Sequence, residues 1–273
     1  MKIGITGAGG FIGQHLFSHL KKNGFSVTGF TSNHLNRKLL YVDLFDLNSV
    51  TNNFQDFDVL IHLAWIGSDR KNRDILEVQN KNVLIAQNLI NAKKNMQVKK
   101  IIGVGSQEEL KDGEQPWGEG SSFSPITHYA QAKYKAFSLY SENFEEFTWA
   151  RLFSVYGLHD KRDWILNRGL LAILKNEVIS VGACEKPWSL THVGDVAAAF
   201  NVILELRLSG IINISSLEAP ILRSHLELLQ SIVNKKVFEF KQREVSRTIG
   251  KLETAGWKEL WNREKGFREL LKQ

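Results

Sequence analysis

Three side chains have the types and spacing of an acid–base site: Ser106, Tyr129 and Lys133. Tyr129-Ala130-Gln131-Ala132-Lys133 opens a helical pattern that runs on through Phe137, Leu139 and Tyr140. A spacing of four on a helix sets the Tyr129 hydroxyl and the Lys133 ammonium on one face, one turn apart. A neighbouring cation favours phenolate, so such a tyrosine can protonate an alkoxide or deprotonate an alcohol near neutral pH. Ser106 follows the run Val98 to Gly105 and is expected at a strand end, as a neutral hydrogen-bond donor to the same oxygen. A tyrosine four residues before a lysine also occurs in ordinary helices, as core packing beside a surface amine. The surroundings of the trio decide between these meanings.

The strongest of those surroundings opens the chain. Ile3 and Ile5 suit a buried strand, glycines follow at 7, 10 and 13, and an amphipathic pattern then begins with Phe11, Ile12, Leu16, Phe17 and Leu20. Strand, glycine turn and helix in that order form a dinucleotide-binding fingerprint. Gly7 serves the tight turn, Gly10 the approach of a pyrophosphate, and Gly13 the close packing of helix on strand. The free N–H groups at Phe11 and Ile12 and the positive end of the helix dipole then face an anion.

Strands and helices alternate from there, which predicts a doubly wound parallel α/β sheet. Strands are expected at Phe25 to Phe30, Leu39 to Val42, Val59 to Leu63, Val98 to Gly105 and Ile211 to Ile214. Helices are expected from near Leu47, over 74–94, from Tyr129, through Trp164 to Ile173, and over 196–206, 222–233 and 263–271. The second strand leads into Thr31-Ser32-Asn33-His34-Leu35-Asn36-Arg37-Lys38, with no acid to hold ribose hydroxyls. Small polar and basic residues there favour NADP, with Thr31, Ser32 and Arg37 as contacts; NAD stays possible, and Arg37 and Lys38 also read as a solvated loop. Asp43 and Leu44 are candidates for the adenine, although Asp43 could equally cap the helix near Leu47. Leu63, Ala64 and Trp65 would pass along the cofactor, and Asn82 on the following helix is a further cofactor-side candidate. His62 reads as structural.

Composition narrows the partners. The 273 residues, 43% of them hydrophobic, can bury a large core. A lone cysteine, Cys184, allows no intramolecular disulfide or cysteine zinc cluster and suits a cytoplasmic location. No metal site is expected. No charged segment followed by a long apolar run opens the sequence and no apolar run approaches the ~20 residues of a membrane span, so neither secretion nor membrane insertion is expected. The net charge of +6 is scattered, without the aromatic interleaving of a nucleic-acid platform.

These motifs together resemble the extended short-chain dehydrogenase/reductase family of nucleotide-sugar epimerases, dehydratases and reductases. TGAGGFIG (Thr6 to Gly13) is similar to its glycine turn, HLAW (His62 to Trp65) to its HLAA-like segment, and Ser106 with YAQAK to its Ser-Tyr-Lys triad. RLFSVYG (Arg151 to Gly157), THVGDVAAAF (Thr191 to Phe200) and Lys251-Leu252 with Ala255-Gly256-Trp257 match three further segments. The resemblance implies a Rossmann-like domain over 1–156 and 190–215, and a smaller α/β substrate region over 157–189 and 216–273. It also implies a nucleotide-sugar substrate and a possible homodimer through the helices near 75–94 and 129–142.

Departures from the family pattern bear on the reaction. Family dehydratases place an acidic pair directly after the catalytic hydroxyl, where Gln107 stands here. Trp188 stands where many epimerases carry an arginine that grips the diphosphate, and Ser154 replaces an asparagine. Gln107, Ser154 and Trp188 resemble the branch that reduces 4-keto-6-deoxy or dideoxy sugars. They join Ser106 as substrate-side candidates, with Arg162 or Arg168 as replacement clamps, although arginines on a surface helix also read as solvated. The expectation is an NADP-dependent 4-ketoreductase. An NAD-retaining epimerase and a non-catalytic dinucleotide sensor are the alternatives.

Overall fold

A computed structural model describes residues 1–111, 117–240, 258 and 260–272. The segment Lys251-Leu252 with Ala255-Gly256-Trp257 lies outside the described residues.

The first strand, β1 (Lys2–Thr6), passes through the glycine turn into α1 (Phe11–Lys22) and returns as β2 (Ser26–Thr31). Then come β3 (Leu40–Tyr41), α2 (Leu47–Asn53), β4 (Val59–His62), α3 (Leu76–Lys93) and β5 (Lys100–Ser106). A 3-10 turn, Gln107–Glu109, leads toward α4 (His128–Asn143), which Thr127 caps by accepting the Ala130 N–H. β6 (Glu146–Leu152), β7 (Val155–Tyr156), α5 (Ile165–Lys175), β8 (Ile179–Ser180) and β9 (Thr191–His192) follow. The chain continues with α6 (Val193–Glu205), β10 (Gly210–Ile214), α7 (Leu222–Val233), β11 (Phe238–Glu239) and α8 (Arg263–Leu270).

Seven strands form one parallel sheet in the order β10-β6-β5-β4-β1-β2-β3. Its central strands are buried on both faces, which is why they read as apolar runs without alternation. One face packs against α1 and α6 through Leu16, Leu20, Val196, Phe200 and Ile203. The other packs against α2, α3 and α4 through Val50, Ile85, Leu89, Ala136 and Tyr140. Strand order reverses between β1 and β4, where Ile3 pairs with Val27 on one side and Val59 on the other. A crevice opens at the carboxyl ends of the strands at such a point.

Element ends differ from the sequence reading by a few residues at most, and β3 is a short exposed edge strand. The substantive addition is β6, which pairs with β5 over its whole length and with β10. Its run Phe147-Thr148-Trp149-Ala150-Arg151-Leu152 contains a charged residue, so it does not read as an apolar strand; Arg151 is nonetheless fully buried. A third core, with Tyr156, Leu166, Leu226, Leu229, Phe238 and Phe267, joins α5, α7 and α8 outside the sheet.

Candidate active site

The cleft at the strand ends has a volume of about 1320 Å³. That exceeds the roughly 300–1,000 Å³ of a single small-ligand pocket and leaves room for two nucleotides. Its floor is the glycine turn. Gly7 has φ +69°, the left-handed conformation that glycine adopts without strain, and its carbonyl accepts the Gly10 N–H at 2.9 Å. A Cβ on Gly13 would collide with that same carbonyl oxygen, so only glycine lets α1 sit this close to β1. α1 has no side-chain cap and no acid in its first turn. Its first N–H groups therefore suit a pyrophosphate.

Thr31 and Ser32 line the cleft, as do Phe11, Ile12, Asp43, Leu44, Leu63, Ala64 and Trp65. Asp46, not Asp43, caps α2 by accepting the Asn48 and Ser49 N–H groups; Asp43 accepts the Phe45 N–H at 2.9 Å. Arg37 is exposed and outside the lining. Asn82 is buried behind the wall, where it accepts the Ile66 N–H and donates to the Ile66 carbonyl, at 2.8 and 2.9 Å. It holds the Ala64–Gly67 segment in place and does not face the cleft. His62 shares a 2.8 Å hydrogen bond with Thr6, and burial holds its pKa down at about 3, so it is a neutral part of the core.

Ser106, Tyr129 and Lys133 meet on the cleft wall. Burial pushes the Tyr129 phenol up; the Arg73 guanidinium offsets this most, and a hydrogen bond with Ser106 also favours the phenolate. Lys133 is fully enclosed and donates to the Val104 carbonyl at 2.7 Å. Its ammonium lies 3.6 Å from the Trp65 ring centroid but 5.7 Å from that of Tyr129. Burial lowers its pKa to about 7. The expected helix face is therefore present, while the cation nearest the tyrosine ring comes from elsewhere in the chain.

Gln107, the residue after Ser106, donates to the Ser154 hydroxyl at 3.1 Å, and Trp188 lines the cleft with them. Arg162 also lines it, with its guanidinium bound to Asp160 at 2.7 Å and to the Val155 carbonyl. Arg168 is exposed on α5 and outside the lining.

Arg73 escapes the sequence reading, and so does the burial of Glu109, which the sequence offers only as an acid left after Gln107. Arg73 lies in the polar run Asp69 to Asp74, which resembles any solvated loop. Glu109 lies in a second polar run, yet it is fully buried and receives the Ser106 N–H at 2.6 Å. Gly105 is its available signal: a Cβ there would collide with the Trp149 indole and with the Glu109 carboxylate. Among the described residues, no group of three or more His, Cys, Asp or Glu side chains could hold a metal. No described helix is long and apolar enough to cross a membrane.

A doubly wound sheet with a glycine turn at its switch point defines a Rossmann-type dinucleotide-binding fold. The profile of the NAD dependent epimerase/dehydratase family matches residues 3–215, and the chain belongs to that family. The dTDP-D-glucose 4,6-dehydratase of Dictyostelium discoideum is 24% identical over 269 residues, which cover 85% of this chain and 62% of that relative. The chain thus spans less than two thirds of that enzyme's length. The structure of the UDP-glucose 4-epimerase of Thermus thermophilus in complex with NAD is similar with a TM-score of 0.81 at 22% identity, covering 100% of this chain and 98% of that one. The structure of RMD from Pseudomonas aeruginosa complexed with NADPH gives 0.81 at 20% identity, with the same coverage of 100% and 98%. At these identities the structural likeness establishes the fold.

Proposed function

We propose that this protein is an NADP-dependent oxidoreductase that reduces the 4-keto group of a nucleotide-linked 4-keto-6-deoxy or dideoxy hexose. The observation that carries this reading is the commitment of the acids beside Ser106. Gln107 cannot act as a carboxylic acid, Glu108 is paired with Arg73, and Glu109 is buried against Trp149. Tyr129 then remains as the proton donor at one oxygen, without a second acid for elimination.

The glycine turn and the first N–H groups of α1 would hold the dinucleotide pyrophosphate, and Thr31 and Ser32, small polar residues on the cleft lining, would receive a 2′-phosphate. The dinucleotide, when bound, supplies hydride to the keto carbon. Ser106 orients the keto oxygen, Tyr129 gives it a proton, and Lys133 lies where it can hold the cofactor ribose. The sheet half binds the dinucleotide. The region of α5, α7 and α8 binds the nucleotide sugar, with Gln107, Ser154, Trp188 and Arg162 on the substrate side.

The test is oxidation of NADPH and of NADH with a panel of nucleotide-linked 4-keto-6-deoxy sugars. Turnover with NADPH supports the reading. Failure with every sugar, by protein that binds NADPH, overturns it. A second reading, an epimerase that retains its NAD, is favoured by the likeness to UDP-glucose 4-epimerase and needs the same three residues. Protein that purifies with bound NAD and turns over without added reductant would establish that reading instead.

A further inference from the structure

We propose that Arg73 is a positioning residue of this site: laid over the Tyr129 ring, closer to its centre than Lys133, and tied to Glu108, it supplies a fixed positive charge that favours the phenolate. The inference rests on Tyr129 as the acid–base group of the preceding section. The Arg73 guanidinium carbon lies 4.2 Å from the Tyr129 ring centroid, against 5.7 Å for the Lys133 ammonium. Both distances fall within the ~6 Å over which a cation is attracted to an aromatic face.

The placement of Arg73 is fixed from several sides. Its Nε donates to Glu108 at 3.0 Å, and a second guanidinium nitrogen meets the other oxygen of the same carboxylate. Glu108 is held in turn by its own N–H, which donates to the Ser106 hydroxyl at 3.3 Å. The next residue, Asp74, accepts the His128 N–H at 2.7 Å, pinning the loop to the first residue of the helix that carries Tyr129. The Arg73 N–H donates to the Asp69 carbonyl at 2.9 Å. Ser106, Glu108, Arg73 and Tyr129 thus close a ring made from a strand end, a 3-10 turn, a loop and a helix.

The groups around the Tyr129 phenol assign the cation its effect. Arg73 faces it from the loop before α3, Glu108 and Glu109 from the 3-10 turn, Ser106 from β5, and Lys133 from α4 itself, with His62 of β4 beside Lys133. Burial and the two glutamates push the phenol up, and the guanidinium pulls it down. Burial pushes the Lys133 ammonium down, whereas the Arg73 guanidinium, a third exposed, keeps its charge. The labour is therefore divided: Lys133 faces Trp65 and the Val104 carbonyl, and Arg73 sets the ionisation of Tyr129.

The experiment uses the whole protein and Arg73→Gln and Arg73→Lys variants, with Tyr129 titration read as the ultraviolet phenolate signal that Tyr129→Phe removes. Arg73 is a third exposed, with 33% of its side chain accessible, so both replacements leave the core intact. Arg73→Gln is expected to raise the Tyr129 titration by about one pH unit, toward the low end for a lost opposite charge at 4–6 Å. Arg73→Lys, which keeps the charge but not the planar fork, is expected to recover part of that shift. The pH limb of turnover should move in parallel. An unchanged titration in Arg73→Gln overturns the proposal, as does an equal shift in both variants, which would mark a role independent of charge. The titration needs no substrate, so it reads separately from any failure of the proposed reductase activity.

Discussion

The Glu109 carboxylate accepts the Trp149 indole N–H at 2.8 Å in a place where Glu109 is 0% and Trp149 1% exposed. The other carboxylate oxygen receives the Ser106 N–H at 2.6 Å, so a buried pair behind the cleft fixes the backbone that presents the serine. Burial raises the Glu109 carboxyl; the Trp149 hydrogen bond offsets this most, followed by Arg151, whose Nε lies 3.5 Å away, with Lys133 acting in the same direction.

Removing that carboxylate leaves the buried Arg151 with only Glu119, the lesser of its two anions. Glu109→Ala is expected to destabilise the fold by about 3–5 kcal/mol, the cost of breaking a buried charged pair from one side. Chemical denaturation measures it. A loss below about 1 kcal/mol would mean that the pair contributes little, as surface pairs do.

Tyr129→Phe keeps the ring that packs against Trp65 and Arg73 and deletes the hydroxyl. Turnover is expected to fall at least ~100-fold, the usual share of a general acid. Dinucleotide binding, followed by fluorescence quenching, is expected to stay within about twofold, since the pyrophosphate cradle at the glycine turn is untouched.

Gly13→Ala places a methyl group into the Gly7 carbonyl oxygen. Backbone on both sides of the contact cannot yield as a side-chain tip would, so α1 must move off β1. Overpacking of this kind costs about 1–3 kcal/mol. The same displacement removes the N–H groups from the pyrophosphate, and dinucleotide affinity is expected to fall by about tenfold or more in a binding titration.

Acid sensitivity follows from three buried histidines. Burial holds His62 and His192 at about 3 and His225 at about 4, below the 6.5 of a free imidazole. Between pH 6.5 and about 4 the unfolded chain takes up protons that the native state refuses, so stability is present above pH 6.5 and is lost as pH falls. Each histidine contributes about 1.4 kcal/mol per pH unit in that window. Denaturation midpoints measured from pH 7 to pH 5 should fall accordingly, and His225→Gln should flatten the dependence.

Much of the fold is legible in the residues, because it rests on short-range rules. Buried parallel strands such as Val59-Leu60-Ile61-His62 are apolar without alternation, and the α7 pattern at Leu222–Val233 declares its own ends. The turn at Gly7, Gly10 and Gly13 carries its geometry in three glycines. Ser106, Tyr129 and Lys133 could be named because one strand end and one helical spacing determine where they lie.

What the tertiary structure alone decided is which charges face which groups. Arg73 lies in a polar run that reads as a solvated loop, and Arg151 is the single charge in the largely apolar run Phe147 to Leu152. One becomes the cation over Tyr129, and the other a buried partner of Glu109. Asn82, Arg37 and Arg168 carry suitable chemistry, yet they lie behind, outside or away from the cleft. Periodicity determines the face of an element on which a residue sits, whereas the sign and distance of its neighbours depend on contacts between segments far apart in the chain. For the ionisation of Tyr129 those long-range contacts are decisive, since Coulomb interaction in a buried site depends on separation and burial, which sequence spacing does not encode.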